Sequence, residues 1–128
     1  MIVLETARLR LEEGTLDDQV FIFTLLNSPN WIEFIGDRGI ESLTDAENYI
    51  KNTLIKSYDT NGFGLYKVTL KHDSSPIGLC GFLKRDYSDH PDIGYAILPK
   101  YEGNGYTSEA AKAVLNYGKT QFGFKTIF

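Results

Sequence analysis

The chain has 128 residues, 42% hydrophobic and 23% charged, with a net charge of −4 and a single cysteine. That length suits one domain with one real core, burying roughly two-thirds of the surface the unfolded chain exposes. The charge balance leaves no basic footprint for a nucleic-acid partner, and no run of Lys and Arg restores one.

The opening M-I-V-L-E-T has neither a basic segment nor a long apolar run, so no secretory signal or membrane span is expected. Leu9 and Leu11 alternate with Arg8 and Arg10, which predicts a half-buried first strand. Thr15 and Asp18 mark a helix start, followed by Val20, Phe21 and Leu25 at helical spacing; N-S-P-N at 27–30 ends that helix. Thr44 and Glu47 form a T-D-A-E capping box. Behind it Ala46, Tyr49, Ile50, Thr53 and Leu54 make the apolar stripe of a second helix.

Tyr66, Val68 and Leu70 alternate with Lys67, Thr69 and Lys71, a strand with one wet face. The turn H-D-S-S-P joins it to the apolar strand 77–83, so the two should form an antiparallel hairpin. Within that strand Cys80 reads as a small buried hydrophobe, with no neighbouring base to make it a nucleophile. An unpaired thiol suits a reducing cytoplasm. A polar turn at 88–91 leads to a third strand, 93–98. His72 and His90 both lie in polar turns without ligand spacing, so no metal site is expected. Helical spacing returns at Ala110, Ala111, Val114 and Leu115, with Gly123 as the stop, and 125–128 begins an apolar strand. Strands clustered behind two helices read as α+β.

Between the third strand and the last helix lies L-P-K-Y-E-G-N-G-Y-T-S-E-A-A, residues 98–111. Two glycines one residue apart let the backbone turn tightly and approach a ligand closely. The helix that follows offers unpaired N–H groups and the positive end of its dipole, a site for an anion such as phosphate. As G-x-G-x-x-S the turn is one glycine short of the dinucleotide fingerprint, and no G-K-S/T follows. Taken alone, it is as compatible with a structural strand–turn–helix corner as with a phosphate site.

Four segments in order, L-E-T-A-R-L-R-L with T-L-D-D, I-G-L-C-G, D-I-G-Y-A-I-L-P and G-N-G-Y-T-S-E-A-A, give the chain a resemblance to GNAT-type N-acetyltransferases. It is most similar to their ribosomal-protein alanine acetyltransferase (RimJ/RimL-like) group. The resemblance implies the GNAT-like acyl-CoA N-acyltransferase fold, a mostly antiparallel sheet flanked by helices, in one domain over 1–128. In that family the fold continues through a further helix and strands, so the chain is expected to be C-terminally truncated or completed by a partner. The resemblance further implies acetyl-CoA as co-substrate. Ala96, Ile97 and Leu98 would hold its pantetheine arm through the backbone. Its pyrophosphate would fall to Glu102, Gly103, Asn104, Gly105, Tyr106 and Thr107, with the Ser108 hydroxyl as an added donor. The Glu102 carboxylate has to face away from the phosphates. Lys100 stands where the family carries Gln or Arg, keeping a positive charge without the guanidinium fork.

Direct acetyl transfer from a thioester to an amine needs a base to neutralise the amine, N–H donors for the developing oxyanion and a route for the thiolate to leave. The resemblance makes Asp92 the candidate base. Tyr95, expected on the same strand face, would position the acceptor. Trp31, Glu33 and Asp37 are candidates to line the acceptor site. The acceptor class is a small-molecule amine or a protein N-terminal amine, with no nucleic acid and no membrane involved. Two other readings stay open: a non-catalytic module that holds an acyl-CoA or phosphate, and an interaction protein whose apolar edge at 126–128 pairs with another copy as a homodimer.

Overall fold

The computed structural model describes residues 2–28, 40–83 and 91–123. Five strands form one antiparallel sheet in sequence order: β1 (Ile2–Glu5), β2 (Leu9–Glu13), β3 (Leu65–Leu70), β4 (Pro76–Leu83) and β5 (Asp92–Ile97). The hairpin of β3 and β4 is as expected, closed by Ser74 N–H to Leu70 C=O (2.9 Å) and Leu70 N–H to Ser75 C=O (2.9 Å). Strand β1 was not anticipated. It is a four-residue edge strand, and its apolar Val3 and Leu4 are only partly buried against the core.

Thr15 and Asp18 do start the first helix: the Thr15 N–H donates to Asp18 Oδ2 at 2.9 Å, and a single 3₁₀ turn leads into α1 (Gln19–Leu26). The buried face agrees with the expected one at Leu25 and Phe21 and departs from it at Val20. Val20 is 61% exposed, while Ile22, Leu25 and Leu26 are buried. The segment Q-V-F-I-F-T-L-L is apolar almost all round, so spacing alone does not choose its face.

The second helix opens two residues earlier than its expected capping box. Ser42 is the cap, with its Oγ accepting from Asp45 N–H at 3.1 Å, and Asp45 Oδ2 accepts from Glu41 N–H at 3.0 Å. The helix runs as α2 (Leu43–Tyr49), widens into a π-helical stretch (Ile50–Ile55) and continues as α3 (Lys56–Asn61). Its buried stripe is Ala46, Ile50 and Leu54; Thr53 is exposed. Helix α4 (Tyr106–Gln121) ends just before Gly123, as expected.

The sheet separates two cores. On one face Leu9, Leu11, Tyr66, Val68, Cys80 and Phe82 pack with Ala110 and Val114 of α4. On the other, Leu65 and Leu79 pack with Ile22, Leu25, Ala46, Ile50 and Leu54. The second face of β3 is therefore not wet. Lys67 reaches Asp18 Oδ1 at 2.8 Å, and Thr69 is buried. The strand expected at 125–128, with its pairing edge, lies outside the described residues, as do Trp31, Glu33, Asp37 and His90.

Candidate functional site

β5 borders the sheet among the described residues, and the chain leaves it through a 3₁₀ turn (Pro99–Tyr101) into the glycine turn. Gly103 and Gly105 have φ of +81° and +79°, a left-handed conformation that side-chain-bearing residues rarely adopt. A Cβ on Gly103 would meet nothing within 4 Å, so this glycine serves backbone conformation and an open approach rather than packing. Gly105 caps α4, and the first helical bond is Glu109 N–H to Gly105 C=O at 3.1 Å. The N–H groups of Tyr106, Thr107 and Ser108 precede that bond and point out of the helix start. The Asn104 amide folds back onto the carbonyls of Tyr101 (3.2 Å) and Glu102 (3.4 Å), which tightens the loop. Glu102 is exposed. The turn thus presents a row of backbone donors, a fit for a phosphate group.

The neighbouring strand is more selective than expected. Leu98 donates its N–H to Ile77 C=O (2.8 Å) and accepts from Tyr101 N–H (3.0 Å), so both its backbone groups are engaged. Residues alternate in an antiparallel ladder, and Ala96 pairs with Leu79 in the same phase as Leu98 with Ile77. Ala96 therefore faces β4 as well. Of the three expected backbone partners only Ile97 turns its N–H and C=O to the open edge; Tyr95, in the same phase, does so too.

The expected common face of Asp92 and Tyr95 is corrected. They are an odd number of positions apart on one strand, which puts their side chains on opposite sides of the sheet. Ile93 and Ile97 pack on the α4 face, and Ala96 packs on the other; Tyr95 goes with the first set and Asp92 with the second. Tyr95 is 56% exposed, not a core aromatic. It borders a crevice of about 10 Å³ between β4, β5 and the start of α4, lined also by Cys80, Ile97, Tyr106 and Thr107. That is room for about one water, so a ligand would lie over the crevice rather than inside it. Burial pushes the Cys80 thiol up to about 12, so it stays protonated and is no nucleophile. Among the described residues no cluster of His, Cys, Asp and Glu could hold a metal ion, and no helix is long and apolar enough to cross a membrane.

Sequence reading missed the group that fixes the turn. Arg8, between β1 and β2, donates Nη1–H to the Asn104 carbonyl at 3.0 Å and Nε–H to Glu109 Oε1 at 2.7 Å. Its backbone N–H reaches Glu109 Oε2 at 3.0 Å, and the Thr6 hydroxyl donates to the same oxygen. The guanidinium also lies 4.5 Å over the Tyr106 ring. Burial raises the Glu109 carboxyl, but the bonds from Thr6 and Arg8 together outweigh it and hold the group below the usual glutamate value.

A family model described as an acetyltransferase (GNAT) domain matches residues 8–128. Among curated proteins, the uncharacterized N-acetyltransferase YoaA of Bacillus subtilis is 28% identical over 127 residues, covering 98% of this chain and 71% of its own length. The uncharacterized protein YkkB of the same organism is 30% identical over 125 residues, with 94% and 71% covered. Among solved structures, a GNAT-family acetyltransferase from Bacillus anthracis superimposes with a TM-score of 0.79 at 24% identity, covering 99% of this chain and 71% of that one. RimL, a ribosomal L7/L12 alpha-N-protein acetyltransferase in complex with coenzyme A, superimposes with a TM-score of 0.82 at 14% identity, covering 99% and 72%.

Proposed function

Because the chain belongs to the GNAT acetyltransferase family, we propose that it moves an acetyl group from acetyl-CoA directly to a primary amine. The observation that carries this reading is the juxtaposition of two features: the donor row of the glycine turn and the backbone edge of β5, which no strand among the described residues pairs. A pyrophosphate at Gly103–Ser108 would lead a pantetheine arm along Ile97 and Tyr95, whose outward N–H and C=O groups would align it as an added strand. Bound acetyl-CoA supplies the thioester. Asp92 would take the proton from the attacking amine, directly or through an ordered water. Tyr95, on the opposite face and exposed, would flank the arm rather than share the acceptor pocket with Asp92. Trp31, Glu33 and Asp37 remain the proposed acceptor-lining residues.

The finer reading is a Rim-type enzyme acting on a protein N-terminal amine, with a small-molecule amine as the alternative acceptor. Its support is the ordered set of four segments, together with fold neighbours described as acetyltransferases of ribosomal proteins. We place the reaction in the cytoplasm, which suits the one free thiol, Cys80.

Calorimetric titration with acetyl-CoA tests the proposal. We expect micromolar binding by the wild-type chain and none by Gly105→Trp, which should keep its far-UV circular dichroism. Asp92→Asn should keep that affinity and lose most of its turnover in an amine-acceptor screen. Normal acetyl-CoA affinity in Gly105→Trp would refute the cofactor assignment. Unchanged turnover in Asp92→Asn would remove Asp92 as base.

A further inference from the structure

A second hollow adjoins the glycine turn on the side away from β5. It measures about 260 Å³ and is lined by Ala7, Arg8, Leu70, Lys71, His72 and Tyr106. Two turns build it, the one between β1 and β2 and the one between β3 and β4. The latter is pinned to the former by Lys71 N–H to Arg8 C=O at 2.9 Å. In a chain of net charge −4, two of the six lining side chains, Arg8 and Lys71, are cationic, a third is the His72 imidazole, and none is a carboxylate. The hollow is contiguous with the donor row: Tyr106 lines it, Arg8 bonds to the Asn104 carbonyl, and Arg8 Nη2 stands 3.5 Å from where a Gly105 Cβ would be.

From this arrangement we infer that Lys71 and His72, with Arg8 behind them, form a separate subsite for a phosphomonoester, the 3′-phosphate of the coenzyme's adenosine. The inference rests on the acetyl-CoA reading above. The pyrophosphate is served by neutral backbone amides at the helix start, so it does not account for a cationic wall on the far side of Tyr106. Coenzyme A carries one further anionic group, a phosphomonoester with close to two negative charges at neutral pH, attached to the same nucleotide.

The acidic neighbours do not close the subsite. Glu5 approaches Lys71 only to 3.6 Å, and Asp73 approaches His72 to 3.5 Å, both between exposed side chains. Exposed pairs of that kind contribute little, so a phosphate dianion displaces them at small cost. Arg8 is already committed to Glu109 and Asn104. It supplies field and a fixed wall, while Lys71 and the exposed His72 ring are free to turn inward.

The test is a calorimetric comparison of acetyl-CoA with 3′-dephospho-acetyl-CoA on the full chain, in wild type, Lys71→Ala and Lys71→Ala/His72→Ala. Both substitutions keep the backbone bond to Arg8, and circular dichroism checks the fold. Wild type should bind acetyl-CoA roughly three- to tenfold more tightly than the dephospho form, the range of an exposed charged contact. The single variant should shrink that ratio and the double variant should bring it to about one, with affinity for the dephospho form unchanged. Equal wild-type affinity for both ligands, or a ratio that survives the double substitution, overturns the subsite and leaves the acetyl-CoA reading intact. If wild type binds neither ligand, the acetyl-CoA reading itself fails and the subsite falls with it.

Discussion

Glu109 accepts hydrogen bonds from the Thr6 hydroxyl, the Arg8 backbone and the Arg8 side chain, so one carboxylate joins the β1–β2 turn to the first turn of α4. It also lies where a negative charge complements the helix dipole. Because these bonds hold its folded pKa below the unfolded value, Glu109 stabilises the fold fully above the ordinary glutamate range. That contribution is lost as pH falls through the lowered value. Thermal melts of wild type and Glu109→Gln should therefore differ most near neutrality and converge as pH falls through and below the ordinary glutamate range. Melting temperatures that keep a constant separation across that range would show that the carboxylate charge is not what the contact depends on. None of this network was legible in the sequence. Arg8 and Glu109 are 101 positions apart, and no local spacing relates them; Arg8 reads only as the polar half of an alternating strand.

At the scale of elements, the pairing of β4 with β5 places the open edge relative to the glycine turn. Gly78 sits opposite Ile97, and a Cβ there would come within 2.2 Å of the Ala96 carbonyl oxygen. The obstacle is backbone, so relief has to come from moving β5. Gly78→Ala should cost about 1–3 kcal/mol in urea unfolding and weaken acetyl-CoA binding as well, because Ile97 and Tyr95 move with the strand. Stability lost with no change in affinity would separate the edge from the cofactor. The elements themselves were largely legible: alternation marked β2 and β3, the H-D-S-S-P turn marked the hairpin, and Gly123 marked the end of α4. Four local readings missed for definable reasons. β1 is too short and too exposed to show a pattern. Ser42 with Asp45 and Thr44 with Glu47 both satisfy a capping rule, and the first pair is used. α1 is too apolar to show that Val20 lies off its buried face. The wet face of β3 is covered by helices that pack only in the tertiary fold.

For the molecule as a whole, the two cores are inseparable because they share strands. Leu65 and Tyr66 are adjacent on β3 and Leu79 and Cys80 adjacent on β4, yet each pair divides between the two faces. Stripping one face exposes the backs of the strands that hold the other. Unfolding followed by far-UV signal and by the near-UV signal of the packed rings Tyr58, Tyr66 and Tyr117 should give coincident transitions. An earlier loss of the tyrosine signal would mean that the faces melt separately. The Arg8 staple adds a consequence in time. Its two halves leave the ribosome nearly a full chain apart, and contacts of such sequence separation form late because the intervening loop must first be closed. The glycine turn is thus braced only after the first hairpin and the last helix have met, so ligand capture would report that both ends of the chain have found each other. An immobilised coenzyme would then retain finished molecules and pass over those still lacking α4.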